Sequence, residues 1–234
     1  MELQDKIVLV TGGGSGIGLA IAVKAKSKGA KVIICGRNED KLKTSGEKFD
    51  LTYYRCDVSK ESDVLSLFDK LKSEFGDLDV LINNAGFGYF SMMDEFDAEK
   101  FLAVYETNVL GAALMAREAA KIFKEKNNGT IINVGSTAAL KGFVGGSAYS
   151  ATKFALRGLS ECWRAELRKF NVRVMQVNPS EVQTQFFETA ASDSRDFNPT
   201  KLIAEDIAHA VISAIEMNDR GFTTEFTVFA TNPQ

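Results

Sequence analysis

The stretch that decides the fold is VTGGGSGIGLAI, which runs from Val10 to Ile21. It leads from an apolar run through a glycine-rich turn into an amphipathic segment. Gly12, Gly16 and Gly18 have no Cβ atom, so the backbone can turn sharply there and approach a ligand closely. A helix that begins at this turn directs its unpaired N–H groups and the positive end of its dipole into the turn. The stretch predicts a phosphate site between a strand and a helix, with a flexible glycine loop as the alternative.

The glycine spacing differs from two common phosphate-binding motifs. The loop of nucleoside triphosphatases ends in Gly-Lys-Ser/Thr, whereas Gly18 is followed by Leu19. The strict G-x-G-x-x-G dinucleotide fingerprint is not met either. The glycine motif that is present consists of Thr11-Gly12, three further residues, and then Gly16–Gly18. The rest of the chain must therefore show which ligand the turn binds.

The composition is that of an ordinary globular protein. The chain has 234 residues, of which 45% are hydrophobic and 25% charged, and its formal net charge is -3. This charge provides no attraction to nucleic acid or to an anionic membrane. The N-terminus lacks the features of a secretory signal, and no apolar run reaches the roughly 20 residues that span a bilayer. We therefore expect neither nucleic acid nor a membrane as a partner.

The cysteines and the single histidine limit the possible chemistry. Cys35, Cys56 and Cys162 are odd in number and show no metal-binding spacing. They fit reduced thiols in a cytoplasmic protein. Because His209 is the only histidine, a histidine-based catalytic triad or a metal site with several histidines is not expected. We predict no metal site.

Short β-branched runs alternate with longer helical patterns along the chain. Strands are predicted at Ile7–Val10, Val32–Cys35, Tyr53–Arg55, Val80–Ile82, Thr130–Val134, Val172–Val177 and Glu225–Phe229. Helices are predicted at Gly16–Lys28, Glu39–Lys48, Lys60–Phe75, Ala98–Lys126, Tyr149–Lys169 and Ala204–Met217. This alternation predicts an α/β fold: one doubly wound domain over residues 1–234, with a seven-stranded parallel sheet and helices on both faces. Ligands of such folds lie at the carboxyl ends of the strands.

The end of the second predicted strand indicates which dinucleotide is bound. A site selective for NAD usually carries an acidic residue there, but this chain reads Cys35-Gly36-Arg37-Asn38. Arg37 is placed to pair with a 2′-phosphate through a charge-assisted fork. A merely solvated arginine at a helix start would oppose the helix dipole. The sequence therefore predicts NADP(H), with NAD as the alternative.

Three residues in the second half of the chain form a candidate catalytic group. Tyr149 and Lys153 are four apart at a helix start and share one face. An ammonium there is expected to lower the tyrosine pKa from about 10, which would make the phenol a usable general acid or base. Ser136 closes the fifth predicted strand and could bond a substrate carbonyl. Its alternative role is a turn or helix-cap serine.

These motifs occur together in the order typical of one family. Thr11-Gly12…Gly16-Ile17-Gly18, Asn83–Gly86, Asn108, Ser136 and Tyr149…Lys153 resemble the short-chain dehydrogenase/reductase family from about residue 4 to the C-terminus. The resemblance implies a Rossmann fold and hydride transfer between C4 of the nicotinamide and a carbonyl or secondary alcohol.

The resemblance also implies roles for individual residues. Tyr149 would be the acid in reduction and the base in oxidation, and Lys153 would bind the nicotinamide ribose and tune Tyr149. Ser136 would polarise the carbonyl, and Asn108 would hold a water that relays protons to Lys153. The implied cofactor-binding residues are Gly12, Gly14, Ser15, Gly16, Ile17, Gly18, Arg37, Asp57, Val58, Asn84, Ala85, Gly86, Tyr149, Lys153, Pro179, Val182 and Thr184.

The chain departs from the family pattern after the sixth strand. Ser180 stands where the family usually has glycine, so we expect a local adjustment of the backbone without loss of binding. The weakly periodic segment Gln185–Thr200, within a lid at about residues 180–200, is predicted to close over the substrate. About half of the following aromatic residues are expected to line an apolar substrate site: Phe87, Tyr89, Phe90, Phe143, Phe186 and Phe187.

The resemblance leaves the substrate open between two classes. A 3-oxoacyl-[acyl-carrier-protein] reductase-like activity on an acyl thioester is one. The ending FTVFATNPQ lacks a glycine-rich tail, which favours a sepiapterin reductase-like member that acts on a small carbonyl. A non-enzymatic NADP-binding sensor is a further alternative, although such a protein needs no proton donor.

The expected partners are the substrate and further copies of the chain. The family implies a homodimer or homotetramer formed through the two long helices at Ala98–Lys126 and Tyr149–Lys169. A basic group could dock an acidic carrier protein, but a solvated basic face is the preferred interpretation. Its members are Lys121, Lys124, Lys126, Arg168 and Lys169.

Overall fold

A parallel sheet forms the centre of the computed structural model, which describes residues 1–184 and 197–232. Its strands are β1 (Ile7–Thr11), β2 (Lys31–Gly36), β3 (Thr52–Arg55), β4 (Val80–Asn83), β5 (Gly129–Val134), β6 (Val172–Pro179) and β9 (Glu225–Val228). Their order is β3-β2-β1-β4-β5-β6-β9, and every pair is parallel. The predicted seven-stranded sheet is confirmed. Because the chain changes direction between β1 and β4, a crevice opens there at the carboxyl ends.

Two short strands outside this sheet were not predicted. They are β7 (Val182–Gln183) and β8 (Leu202–Ile203), which pair in parallel. Together they join the segment after β6 to the start of the last helix. Most of the predicted lid, residues 185–196, lies outside the described residues, so the lid stays a prediction.

Seven α-helices cover the sheet in the described ranges. They are α1 (Gly16–Ser27), α2 (Glu39–Phe49), α3 (Glu61–Phe75), α4 (Ala98–Tyr105), α5 (Ala112–Lys126), α6 (Ser147–Leu167) and α7 (Ala204–Ile215). Short 3-10 turns occur at Thr137–Ala139 and Arg168–Phe170. None of these helices is long and apolar enough to cross a membrane.

The core lies in two layers, one on each face of the sheet. Side chains of β1 alternate between them because successive strand residues point to opposite faces. Val8 and Val10 pack with Ile21 of α1 on one face, while Leu9 packs with Leu71 of α3 on the other. All five are almost fully buried. The predicted helices on both faces are therefore confirmed.

The predicted continuous helix Ala98–Lys126 is wrong in its middle. Residues Glu106–Gly111 form a π-helical segment between α4 and α5. A Cβ atom on Gly111 would lie 2.7 Å from Cγ2 of Val58, so the chain passes very close to the loop after β3 at this point. Such π-bulges are frequent at functional sites, and this one contains Asn108.

Candidate active site

A cavity of about 790 Å³ runs along the carboxyl ends of the strands. One end is lined by the glycine turn and Arg37, and the other by Ser136, Tyr149 and Phe143. A smaller cavity of about 130 Å³ shares Gly12, Arg37, Ala85 and Gly86 with it. The two cavities together join the candidate phosphate site to the candidate catalytic group.

The glycine turn is built from backbone that tolerates no side chain at three positions. Gly12 and Gly16 have φ angles of +64° and +55°, in the left-handed region that favours glycine. A Cβ on Gly18 would lie 2.4 Å from Nδ2 of Asn84 and 2.5 Å from the carbonyl oxygen of Gly12. The turn therefore needs glycine for its own shape, and contact with a cofactor is a further prediction.

Thr11 and Asn84 lock the glycine turn to the end of β4. The Thr11 hydroxyl accepts hydrogen bonds from the backbone N–H groups of Asn84 (3.0 Å) and Ala85 (2.9 Å). The Asn84 side-chain amide donates to the carbonyl oxygens of Thr11 (2.9 Å) and Gly12 (3.2 Å). Asn84 thus stabilises the cavity wall as well as lining it.

Two cationic side chains mark the end of the cavity near α2. Arg37 is exposed, lines both cavities and holds its guanidinium 5.5 Å from the centre of the Phe87 ring. Lys41, in the first turn of α2, lines the larger cavity beside it. Sequence reasoning missed Lys41, although it stands four residues after Arg37. Two cations here can bind an anionic group between them.

Asp57 and Val58 line the smaller cavity, and their contact with the cofactor stays a prediction. Oδ1 of Asp57 accepts hydrogen bonds from the backbone N–H (3.1 Å) and the hydroxyl (2.8 Å) of Ser59. Among the described residues, Oδ2 has no such donor. It can therefore accept a hydrogen bond from an amino group in the cavity.

Ser136, Tyr149 and Lys153 meet at the other end of the larger cavity. The hydroxyls of Ser136 and Tyr149 are hydrogen-bonded, and Ser136 also accepts from the N–H of Ala138 (3.1 Å) as the cap of the 3-10 turn. The interpretation of Ser136 as a cap residue is therefore confirmed, and its bond to a substrate carbonyl stays a prediction. Lys153 is buried, and its Nζ donates to the carbonyl oxygen of Val134 (2.8 Å).

Burial controls the pKa of both ionisable groups in this cluster. It raises the pKa of Tyr149 to about 12, an effect opposed by the Ser136 hydrogen bond. It lowers the pKa of Lys153 to about 8. The predicted lowering of the Tyr149 pKa is therefore wrong for the protein without ligand. The Lys153 ammonium is directed to Val134, and its Nζ lies 5.6 Å from the centre of the phenol ring.

Asn108 lies behind the cavity wall. Its Oδ1 accepts from the N–H of Phe87 (3.0 Å), and its Nδ2 donates to the carbonyl oxygen of Phe87 (3.0 Å) and to the hydroxyl of Thr152 (3.1 Å). These bonds connect the turn after β4 with the helix that carries Tyr149 and Lys153. The observed position is a structural one, and the predicted water relay stays a prediction.

The segment after β6 reaches the glycine turn, since a Cβ atom on Gly16 would lie 3.6 Å from Cβ of Thr184. Pro179, Ser180, Val182 and Thr184 all line the larger cavity. Ser180 is not among the positive-φ residues of the described ranges, and its N–H donates to the carbonyl oxygen of Val228 (2.9 Å). The backbone at Ser180 therefore lies outside the region that favours glycine, and the expectation that cofactor binding is kept there stays a prediction.

Aromatic rings line the approach to Tyr149. Phe90 packs edge-on against the Tyr149 ring, with centres 5.8 Å apart, and Phe143 lies 5.9 Å from Phe90. These two residues and Phe87 line the cavity. Tyr89 does not line it, because its hydroxyl accepts from the N–H of Asp97 (2.7 Å) on the surface. Phe186 and Phe187 lie outside the described residues.

Several of the predicted cofactor residues line the cavity, and others lie behind its wall. Ser15, Gly16 and Ile17 line the larger cavity. Gly14 and Gly18, like Asn108, line neither cavity within the described part of the chain. Gly14 faces α2, where its carbonyl oxygen accepts from the hydroxyl of Ser45 (3.0 Å).

A row of hydrogen-bonded polar side chains, most of them buried, connects β5, α6, β6 and β9. The Asn133 amide donates to the Ser160 hydroxyl (2.7 Å), which is also bonded to Oε1 of Gln176 (2.9 Å). Gln176 donates to Asn178 (2.8 Å), and Asn178 donates to Glu225 (2.6 Å). Sequence reasoning missed this row, although its signal is polar residues within apolar strands.

The model of the short chain dehydrogenase family matches residues 6–195. The chain belongs to the short chain dehydrogenase family. It is accordingly an oxidoreductase of a family that binds a nicotinamide cofactor. Within the described residues, no group of three or more potential metal ligands is found.

Relatives within the short chain dehydrogenase family are similar over nearly the whole chain. The 3-oxoacyl-[acyl-carrier-protein] reductase of Mus musculus is 35% identical over 217 residues, which cover 91% of this chain and 92% of that protein. The NADP-dependent 3-hydroxy acid dehydrogenase of Schizosaccharomyces pombe is 33% identical, with 85% and 82% covered. An alcohol dehydrogenase from the archaeon Thermococcus sibiricus, solved with 5-hydroxy-NADP, superposes with a TM-score of 0.90 at 26% identity, with 99% and 100% covered.

Proposed function

We propose that this short chain dehydrogenase is an NADP(H)-dependent reductase of a carbonyl group, which also oxidises the corresponding secondary alcohol. The position of Ser136, Tyr149 and Lys153 together on one cavity wall carries this proposal. The far end of that cavity holds Arg37 and Lys41. A proton donor and an anion site in one cavity are what such a reaction requires.

The residues around the cavity fit a nicotinamide dinucleotide. Glycine at Gly12 and Gly18 lets the turn pack tightly against Asn84, and we propose that the resulting turn binds a phosphate group. The start of α1 directs its free N–H groups into the same space. Val182 and Thr184 line the same cavity as Lys153 and are the proposed contacts of the nicotinamide carboxamide and a nearby phosphate. Thr184 lies beside the glycine turn, 3.6 Å from the position of a Cβ on Gly16.

Arg37 and Lys41 support NADP(H) over NAD(H). Arg37 stands directly after β2, where a NAD site usually carries its acidic residue, and Lys41 lies in the first turn of α2. The acidic residues of that turn, Glu39 and Asp40, line neither cavity within the described part of the chain. An acidic residue directly after β2 would bind the ribose hydroxyls of NAD, whereas two cations attract a 2′-phosphate. Relatives from fission yeast and Thermococcus sibiricus that use or bind an NADP-type cofactor agree with this preference.

Tyr149 and Ser136 have different roles in the proposed reduction. When bound, the nicotinamide supplies the hydride that forms the new C–H bond. Tyr149 keeps its proton at neutral pH because burial raises its pKa to about 12, so its phenol can protonate the carbonyl oxygen. Ser136 donates a hydrogen bond to the same oxygen as the C=O π bond breaks. In alcohol oxidation both transfers reverse.

Lys153 supplies positive charge next to the phenol. Its ammonium favours the phenolate that remains after proton transfer, and we propose that it also binds the ribose hydroxyls. Asn108 holds the turn after β4 against α6 through Phe87 and Thr152. We keep the predicted water relay at Asn108 as part of this proposal.

The substrate is proposed to be a 3-oxoacyl compound or another small ketone. The mouse 3-oxoacyl-[acyl-carrier-protein] reductase supports the first class. Docking of an acidic carrier protein on the basic group is not favoured, because two of its members are already engaged. Lys121 pairs with Glu118 (2.6 Å), and Lys126 pairs with Asp77 (2.8 Å) and Asp79 (2.9 Å).

Exposed apolar side chains support the proposed homodimer or homotetramer. Leu102, Leu110 and Phe154 are 57%, 47% and 45% exposed on the α4–α5 and α6 region. Such residues in one region are typical of protein interfaces. Size-exclusion chromatography with light scattering tests the assembly.

The free thiols of Cys35, Cys56 and Cys162 support the proposed cytoplasmic location.

A substrate panel tests the proposed reaction. Consumption of NADPH and of NADH is followed with small ketones, aldehydes, 3-oxo acids and 3-oxoacyl thioesters, and dinucleotide binding is measured in parallel by calorimetry. We expect turnover of at least one carbonyl class with NADPH preferred. Tight NADPH binding without turnover on any of them would instead favour the sensor.

A further inference from the structure

We propose that Lys141 gives this enzyme a preference for carbonyl substrates that carry an anionic group of their own, such as a carboxylate. The inference rests on the proposed function and narrows its substrate class. It concerns the cavity wall beyond Ser136 and Tyr149, where the part of the substrate that does not react must lie.

Lys141 belongs to the same loop as Ser136. The 3-10 turn Thr137–Ala139 follows Ser136, and the N–H of Lys141 donates to the carbonyl oxygen of Thr137 (3.2 Å). Lys141 is exposed and lines the larger cavity together with Gly142 and Phe143. Its charge therefore stands at the substrate end of the cavity, one turn from the residue that holds the carbonyl.

The Lys141 ammonium is available to a ligand. It forms no hydrogen bond and no ion pair with any residue in the ranges 1–184 and 197–232. The other cations of the wall have different positions: Lys153 is buried against Val134 (2.8 Å), and Arg37 and Lys41 lie at the far end. The acidic residue of this wall, Glu181, is paired with Lys201 (3.1 Å), so its charge is largely balanced.

The surroundings of Lys141 fit a substrate with an apolar part and a charged end. Phe143, 51% exposed, and Phe90 form a continuous aromatic path from the Tyr149 ring to the cavity rim. A carbonyl carbon at Ser136 and Tyr149 places the apolar part of a small substrate along this path. An anionic group at the end of such a substrate then contacts the Lys141 ammonium. Because the lysine side chain is flexible, it can adjust to substrates of different lengths.

Matched pairs of substrates test this preference with NADPH. One pair is 3-oxobutanoate and its methyl ester, and the other is acetoacetyl-CoA and the uncharged N-acetylcysteamine thioester. The first pair probes a carboxylate and the second a phosphate-bearing carrier group. The proteins are the wild type, Lys141→Gln, Lys141→Arg and Lys72→Gln. Lys72 is an exposed lysine of α3 that lines neither cavity and serves as the control.

We expect Lys141→Gln to lower kcat/KM for at least one anionic substrate about three- to fivefold, mainly through KM, since one exposed charge contact is worth up to about fivefold. The uncharged partner should change less than twofold. Lys141→Arg should retain the preference, and Lys72→Gln should behave as the wild type. Equal effects on both members of each pair, or no effect on either, would overturn the proposal.

A binding measurement decides the case even if no substrate is turned over. The affinities of butanoate and butanamide for the NADP⁺-loaded protein are compared by saturation-transfer NMR. Weaker binding of butanoate alone in Lys141→Gln supports the inference. Unchanged binding of both ligands contradicts it. Absent turnover would count against the proposed reaction, whereas turnover without a Lys141-dependent preference would remove only this inference.

Discussion

Lys153 donates a hydrogen bond from its Nζ to the carbonyl oxygen of Val134, at 2.8 Å, while its neighbour on the same helix face, Tyr149, is bonded to Ser136. The two side chains therefore share a face without sharing a hydrogen bond. Both are buried, so each titrates according to its own loss of solvent. Burial lowers the pKa of Lys153 to about 8 and raises that of Tyr149 to about 12.

These two pKa values predict the pH dependence of NADPH use. Lys153 loses its proton as the pH rises through about 8, and with it the charge proposed to bind the ribose. We expect kcat/KM for NADPH, which reports the free enzyme, to fall about tenfold per pH unit above that value. Tyr149 stays protonated between pH 6 and 10, so it does not account for this fall.

The variant Lys153→Arg is the control for that profile, because a guanidinium stays charged throughout. Its activity should be lower at every pH, but the decline above pH 8 should disappear. A decline that persists unchanged in this variant would contradict the assignment.

The free energy of unfolding should rise with pH in the range where activity falls. Between pH 8 and 10 the folded protein releases the lysine proton before the unfolded chain does, so unfolding by urea should become harder relative to Lys153→Met.

Tyr149→Phe should remove the proton donor and leave the cavity intact. The phenylalanine ring can keep the edge-on contact with Phe90, whereas the hydroxyl bonded to Ser136 is lost. We expect kcat to fall about 10²- to 10⁴-fold, the usual range for general acid catalysis. Affinity for NADPH, measured by calorimetry, should change little. Tyr89→Phe, whose hydroxyl bonds the surface N–H of Asp97, is the matched control and should retain kcat.

Arg37→Ala should weaken the discrimination between the two dinucleotides. Loss of a charge-assisted contact to a 2′-phosphate costs about 1.5–3 kcal/mol, which is roughly 10- to 100-fold in the dissociation constant of NADPH. NADH, which has no such phosphate, should bind about as before. The double variant Arg37→Ala/Lys41→Ala should lose still more of the preference. If the ratio of the two constants is unchanged in both variants, the phosphate argument is wrong.

The sheet could be predicted from the sequence because each strand has its own local signal. Buried parallel strands such as β1 and β5 are short β-branched runs, and the helices between them are long enough to be recognised. The glycine turn could be predicted for a similar reason: the space at Gly18 is limited by Gly12 within the same stretch. Family membership follows from the combination of such local motifs.

Features that depend on distant residues were missed. The π-helical segment Glu106–Gly111 does not change the composition of the helical stretch. It widens a single turn, and the sequence pattern around that turn still predicts a helix. The pKa of Tyr149 depends on how deeply the ring is buried and on the direction of the Lys153 ammonium. Neither quantity is determined by the spacing of four residues. Lys41 and the buried row from Asn133 to Glu225 likewise become visible only when the strands are side by side.

The glycine turn itself gives a sharp steric test with a neighbouring control. Gly18→Ala would place a methyl group 2.4 Å from Nδ2 of Asn84 and 2.5 Å from the backbone oxygen of Gly12. The turn must therefore open, and we expect the affinity for NADPH to fall at least about tenfold. At Gly14 the nearest atom, on Leu42, would lie at an ordinary 3.5 Å, and the φ angle is not positive.

Gly14→Ala should accordingly retain most of the NADPH affinity. Gly18 is a buried residue in the first turn of α1, whereas Gly14 precedes that helix. Circular dichroism must therefore show that both variants are folded before binding is measured. Equal loss in the two variants would mean that cofactor contact, not the internal shape of the turn, requires glycine at both positions. Equal retention would contradict the steric argument, because the turn would then accept a methyl group at Gly18 at little cost.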